Sequence, residues 1–202
     1  MTIYLLRHGQ TLETELDYDL PVSLDEFNRL LRETRDIPLL EAGKARIREQ
    51  ARYLRQCKIQ RIYASPFRRT RETAELVAAE LGLEVSLNDD LREIVPDSLS
   101  SREGRTYTYR NLFIRSFLTL VLAQPGGTET IARSMQRVAR LWDSVSAIGP
   151  DENILLVTHQ GISRLLLLYL TPQFRWGIQK VDLSPAGLTV IQPRQLNFMG
   201  RR

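Results

Sequence analysis

Short apolar runs rich in β-branched and aromatic residues recur along the chain at "TIYLLR", "RIYAS", "EVSL", "NILLVT" and "LTVIQ", and each predicts a strand. Helical spacing fills the intervals between them. Ile47, Ala51 and Leu54 recur three and four residues apart, as do Ala74, Val77, Ala78 and Leu81. Ile131, Met135, Val138, Trp142 and Val145 form a narrow apolar stripe, and Ile162, Leu165, Leu166 and Tyr169 repeat the pattern. Ser23 with Glu26 reads as a capping box for a helix around 24–35. Ser65–Pro66 opens another helix, Gly82 closes it, and Gly149–Pro150 closes the long one. The segment "YRNLFIRSFLTLVLA" reads as an ordinary buried helix, the alternatives being a cover over a site or a subunit contact.

Strands alternating with helices predict an α/β fold with a mostly parallel central sheet and helices on both faces. The runs at 2–6 and 154–158 are almost continuously apolar, as central strands buried on both sides require. In such sheets ligands bind beyond the carboxyl ends of the strands. Arg7–His8, Ser65 and Thr158–His159 all fall at such ends, so three clusters distant in sequence are expected to converge. No repeat, low-complexity tract or linker divides the 202 residues, which predicts one domain over 1–202 with a helical insertion around 15–36.

Composition narrows the function. The single Cys57 removes an intramolecular disulfide and any multi-cysteine metal site, which suits a reducing compartment. The opening shows no basic leader or small-residue cleavage site, so a cytoplasmic location is expected. The longest apolar stretch is too short for a membrane span and is interrupted by Arg115, so no membrane partner is expected. The 28 basic residues are 25 Arg and 3 Lys, giving a net charge of +4. Arginine suits bidentate binding of phosphate, although compositional bias accounts for most of this excess. The basic residues are interspersed with 24 acidic ones and the densest cluster, "RRTR", is short, which argues against a nucleic-acid partner.

The two histidines of the chain, His8 and His159, each end an apolar run. Arg7 precedes His8, and Gly9 follows it, where a missing side chain lets a ligand approach the backbone. An imidazole among arginines has its cationic form disfavoured and keeps a nitrogen available as a nucleophile. Phosphoryl transfer needs these parts: an in-line nucleophile and positive groups around the equatorial oxygens. Of the arginines in "FRRTR", helical spacing lets only one or two of Arg68, Arg69 and Arg71 face a common site. Candidate acids are Glu93, Glu13, Asp89 and Asp90, the aspartates falling in a solvated turn. Histidines 151 residues apart, with no H-E-x-x-H or H-x-x-E-H spacing, predict no metal site.

"LLRHGQT" together with "VTHQGISRLLL" resembles the histidine phosphatase superfamily, also called the phosphoglycerate-mutase-like family. "DIPLLEAGKARIREQARYL", "SPFRRTRETA", "LREI", "REGRTY" and "PGGTET" follow in the family's order. The resemblance implies a phosphoglycerate-mutase-like three-layer sandwich. It implies His8 as the nucleophile of a phosphohistidine intermediate, with Arg7, Arg69 and His159 around the phosphoryl group. It gives Glu93 the proton transfer, with Glu13 the main challenger. A Glu that gives and takes the proton needs a pKa raised from ~4.3 toward ~6–7. Gly9, Thr14 and the backbone at Gln160, at the start of a helix where the dipole favours an anion, complete the expected substrate contacts.

Some positions depart from the family pattern. Gln10 stands for the usual Glu, Thr14 lies near the position of the family's Asn, and Gln160 stands for a Gly; the stretches from His8 to Gly43 and from Glu93 to Glu103 are long. These departures bear on substrate recognition. After Glu93 the chain reads "LREIVPDS" in place of the mutases' E-R-H-Y-G-like continuation, which favours hydrolysis over return of the phosphoryl group. The expected function is metal-independent hydrolysis of a small phosphomonoester without a cofactor. A cofactor-dependent phosphoglycerate mutase and a non-catalytic phospho-ligand binder on the same fold are the alternatives. The sequence leaves a homo-oligomer open.

Overall fold

The computed structural model describes residues 1–96, 98–100, 106–121, 129–173 and 176–194. In chain order the strands are β1 (Ile3–Arg7), β2 (Pro21–Val22), β3 (Ile59–Ala64), β4 (Val85–Leu87), β5 (Tyr107–Thr108), β6 (Asn153–Thr158), β7 (Trp176–Lys180) and β8 (Leu188–Pro193). The α-helices are α1 (Leu24–Glu33), α2 (Glu41–Leu54), α3 (Arg68–Leu81), α4 (Tyr109–Val121), α5 (Ile131–Ser146) and α6 (Gln160–Leu170). Each of the five apolar runs forms a strand, and the main sheet runs β4-β3-β6-β1-β8-β7. β4, β3, β6 and β1 are parallel, whereas β8 and β7 join antiparallel. The chain is an α/β fold.

Alternation along the central strands divides the core. Tyr4 and Leu6 of β1, with Leu155 and Val157 of β6, pack on Ile47, Ala51 and Leu54 of α2 and on Ala74, Val77 and Ala78 of α3. Ile3, Leu5, Ile154 and Leu156 face the other way, onto α5 and α6. Burying successive side chains on opposite faces is what turns an alternating strand into a continuous apolar run. The capping box forms as expected: Ser23 Oγ accepts from Glu26 N–H, and the Glu26 carboxylate accepts from Ser23 N–H. Gly82 ends α3 in the left-handed region at φ 68°.

A third cluster lies apart from the main sheet. Val22, Leu24, Phe27 and Leu31 pack on Leu99 and on Leu112 of α4. The segment around α1 thus has a partner much later in the chain, and β2–β5 pairing ties the two together. The expectation that α4 is an ordinary buried helix does not hold. It buries Leu112, Ser116 and Leu120, while Ile114, Phe117, Leu118 and Val121 are half exposed along its opposite stripe.

β7 escaped the sequence pattern because it is a short edge strand, largely exposed after Gly177, its second residue; Trp176 anchors it against Trp142 of α5, ring centroids 4.8 Å apart. The loop after β1 is held by α2. Leu40 N–H donates to Gln10 O at 2.9 Å, and a Cβ on Gly43 would stand 2.6 Å from that same oxygen. Gly43→Ala is therefore expected to lower unfolding free energy by about 1–3 kcal/mol in urea titrations, as overpacking against fixed backbone does.

Candidate active site

Strand register brings the histidines together. Arg7 on β1 pairs with Thr158 on β6, so His8 and His159 step off adjacent strands at the same level. Their ring centroids are 5.2 Å apart. Ala64 of β3 pairs with Val157, and Ser65 N–H donates to Val157 O, which adds the third strand end. The three clusters expected to meet do meet.

His8 is 4% exposed and its orientation is fixed. Its Nδ1 lies 2.8 Å from Gly9 O, which only a protonated Nδ1 can satisfy. Nε2 is then the free-lone-pair nitrogen, and it accepts from Arg69 Nε at 3.2 Å. Burial holds the imidazole well below the usual histidine range, with Arg69 the next cause and Arg7 a smaller one. His159, fully buried, is held low by burial first and then by Arg69. The neutral state expected from neighbouring arginines is thus mainly the work of burial.

Ser65 is the hydrogen-bond partner of His159, a contact the sequence did not reveal. Phe67 N–H donates to Ser65 Oγ, and that hydroxyl lies 2.9 Å from His159 Nε2. His159 Nδ1, like Arg7 Nε, is buried without a hydrogen-bond partner. Two buried nitrogens without partners, beside a buried arginine, make a cradle suited to an anion.

Arg69 is the arginine of "FRRTR" that turns inward, 3% exposed; Arg68 pairs with Glu72 outside, and Arg71 is exposed. Arg69 Nη1 also donates to Thr34 O at the end of α1, and its guanidinium lies 3.9 Å from Glu13. Glu13 accepts from Thr34 Oγ1 at 2.7 Å, and burial raises its pKa despite Arg69. Glu13 thus lies against Arg69 with a raised pKa. Arg7 Nη1 donates to Leu183 O at 2.8 Å.

Glu93 lies at the start of α6. Its carboxylate accepts from Gly161 N–H at 3.1 Å, Ile162 N–H at 3.3 Å and Ile94 N–H at 3.0 Å. Its own segment is held by Thr158 Oγ1, which donates to Leu91 O, and by Arg137 Nη1, which donates to the carbonyls of Asp90 and Arg92. Asp89 is exposed and Asp90 pairs with Arg140, as a solvated turn predicts.

Glu93 engages the helix-start donors that follow Gln160, at Gly161 and Ile162. Two other expected substrate contacts are corrected in kind. The space a side chain on Gly9 would take is filled by α2, with Gly43 O at 3.0 Å and Ile47 Cγ1 at 3.1 Å. Its missing side chain therefore serves helix packing. Thr14 Oγ1 donates to Thr11 O at 2.8 Å and accepts from Thr11 N–H at 2.9 Å, which ties it into the loop. Residues 102–105 of "REGRTY" and 125–128 of "PGGTET" lie outside the described residues.

The profile of the histidine phosphatase superfamily (branch 1) matches residues 3–199, and the chain belongs to that superfamily. It is 30% identical over 148 residues to phosphoglycerate mutase-like protein 4 of Arabidopsis thaliana, covering 69% of this chain and 63% of that protein, a little under two thirds of its length. It is 25% identical over 197 residues to putative phosphoserine phosphatase 2 of Hydrogenobacter thermophilus, covering 94% and 88%. Among solved structures, a mycobacterial glucosyl-3-phosphoglycerate phosphatase superposes with a TM-score of 0.63 at 20% identity, covering 94% and 88%. The Bacillus stearothermophilus protein YhfR gives 0.64 at 22%, covering 95% and 90%. These superpositions establish the shared fold.

The buried imidazoles link stability to pH. Both resist protonation when folded, whereas an unfolded histidine takes its proton near pH ~6.5. Below that pH the unfolded state binds more protons, so stability falls as pH falls and is recovered on raising it. Thermal unfolding between pH 8 and 5.5 should show this slope, and His159→Asn should flatten it.

Proposed function

We propose that the protein is a metal-independent phosphomonoesterase that works through a phosphohistidine at His8. The observation that carries this reading is the fixed Nε2 of His8, neutral, buried and aimed at Arg69 beside His159. An unprotonated Nε2 attacks phosphorus, the bond to the leaving oxygen breaks, and Glu93 gives that oxygen its proton. Water then attacks the phosphohistidine, Glu93 takes the proton, and the N–P bond breaks to release phosphate and regenerate Nε2. Arg7, Arg69 and His159 stabilise the equatorial oxygens, whose charge is the same in both half-reactions. Proteins named as mutases are among those the chain is similar to, and the sequence after Glu93 favours water as the acceptor. The site acts in the cytoplasm in this reading.

Labelled phosphomonoesters supplied with EDTA should leave label on the protein that is lost in acid and survives base. His8→Ala should abolish it. No trapped label and no released phosphate over a broad ester panel would refute the proposal, and isomerisation of 3-phosphoglycerate with a bisphosphate primer would establish the mutase instead.

Glu93→Gln should slow esters of poor leaving groups by roughly 10²-fold or more and good ones much less. Gly161→Ala should reproduce that pattern, because its Cβ would stand 2.5 Å from Glu93 Oε1. Equal slowing of all esters would instead mark Glu93 as structural.

A further inference from the structure

A cavity of about 670 Å³ opens beside the candidate site, and Glu93 and Phe67 form part of its wall. Its charge is one-sided: six arginines line it against two glutamates. Some of that charge is already neutralised. Arg137 is spent on Glu129 and on the carbonyls of Asp90 and Arg92; Arg140 pairs with Asp90, and Arg92 lies 3.7 Å from Asp89. Arg32, in the last turn of α1, and Arg35, just beyond it, have no carboxylate partner among the described residues.

Phe67 links this cavity to the phosphate cradle. Its ring lies 5.2 Å from the Arg69 guanidinium carbon and 5.9 Å from that of Arg35, and its centroid is 5.1 Å from that of His159. The two guanidinium groups are therefore no farther apart than those two distances laid end to end, a span that a small metabolite bridges. Thr34, whose carbonyl accepts from Arg69, sits between Arg32 and Arg35 in the chain. One short segment thus touches both places.

We propose that this cavity receives the leaving group of the phosphomonoester, and that the leaving group carries an anionic function of its own, a carboxylate or a second phosphate, held by Arg32 and Arg35. The proposal rests on the phosphatase reading above and names the substrate class of the same site. Guanidinium pairs both kinds of oxyanion bidentately, and a cavity of one sign concentrates such ligands. Both arginines come from the insertion around 15–36, where the chain departs from its family's spacing.

Matched pairs of esters test this: 3-phosphoglycerate against glycerol 3-phosphate for a carboxylate, and propane-1,3-diol bisphosphate against its monophosphate for a second phosphate. The anionic member of at least one pair should show kcat/KM about tenfold higher or more, and the pair that does so identifies the group. Arg32→Gln with Arg35→Gln should erase most of that ratio, while the Lys variants at both positions retain part of it. Equal handling of both pairs, or a preference that survives the double Gln variant, overturns the proposal. Calorimetric titration of the His8→Ala protein with the same ligands reads the preference without turnover. If no ester is hydrolysed yet that preference is present and needs Arg32 and Arg35, the phosphatase reading falls and the anion cavity stands. Hydrolysis of neutral and anionic esters alike does the reverse.

Discussion

The parallel pairing of β1 with β6 is the constraint on which the site depends. With Arg7 opposite Thr158, the first residue off each strand is a histidine, and both rings enter the protein interior. Burying an imidazole is tolerable when it is neutral and its polar atoms are engaged. Gly9 O and Ser65 Oγ provide that engagement, at His8 Nδ1 and His159 Nε2. The positive charge comes from Arg69 and Arg7, whose pKa values burial lowers but whose guanidinium groups stay protonated in proteins. A slip of one residue in this pairing would turn every side chain of β1 to the wrong face and separate the pair.

The frame around that pairing is built to hold it still. α2 and α3 cover one face of the sheet, α5 and α6 the other, and each side also clamps a loop of the site. Gly43 of α2 lets the helix touch the backbone of Gln10, while Thr73 of α3 accepts from Gly9 N–H at 3.2 Å. On the other side Arg137 of α5 fixes the carbonyl of the residue before Glu93. Packing and positioning are thus carried by the same helices.

Central strands and amphipathic helices were legible because burial imposes period and composition on them: "NILLVT" and the Ala74–Val77–Ala78 stripe admit few other readings. The meeting of His8, Ser65 and His159 followed from their positions at strand ends. What stayed hidden has physical causes. β7 lies at an edge, half solvated, so it shows no apolar run. The apolar stripe of α4 does not say which side faces the protein, and here one side does not. Whether a glycine's space is used by ligand or by helix, as at Gly9, depends on contacts with Gly43 and Ile47 more than thirty residues away. Thr34 as the anchor of Arg69, and Ser65 as the partner of His159, are contacts across the fold that no local pattern records.

The small cluster of Val22, Leu24, Phe27, Leu31, Leu99 and Leu112 shares no residue with the two cores of the main sheet. Substitutions far apart and without shared partners act independently on stability. Sequence drift within this cluster and the helices it joins is therefore felt weakly by the strands that hold the histidines. That separation lets a lineage remodel the outer layer, its lengths and its charges, at little folding cost to the sheet beneath. Divergence among homologues is expected to accumulate there first.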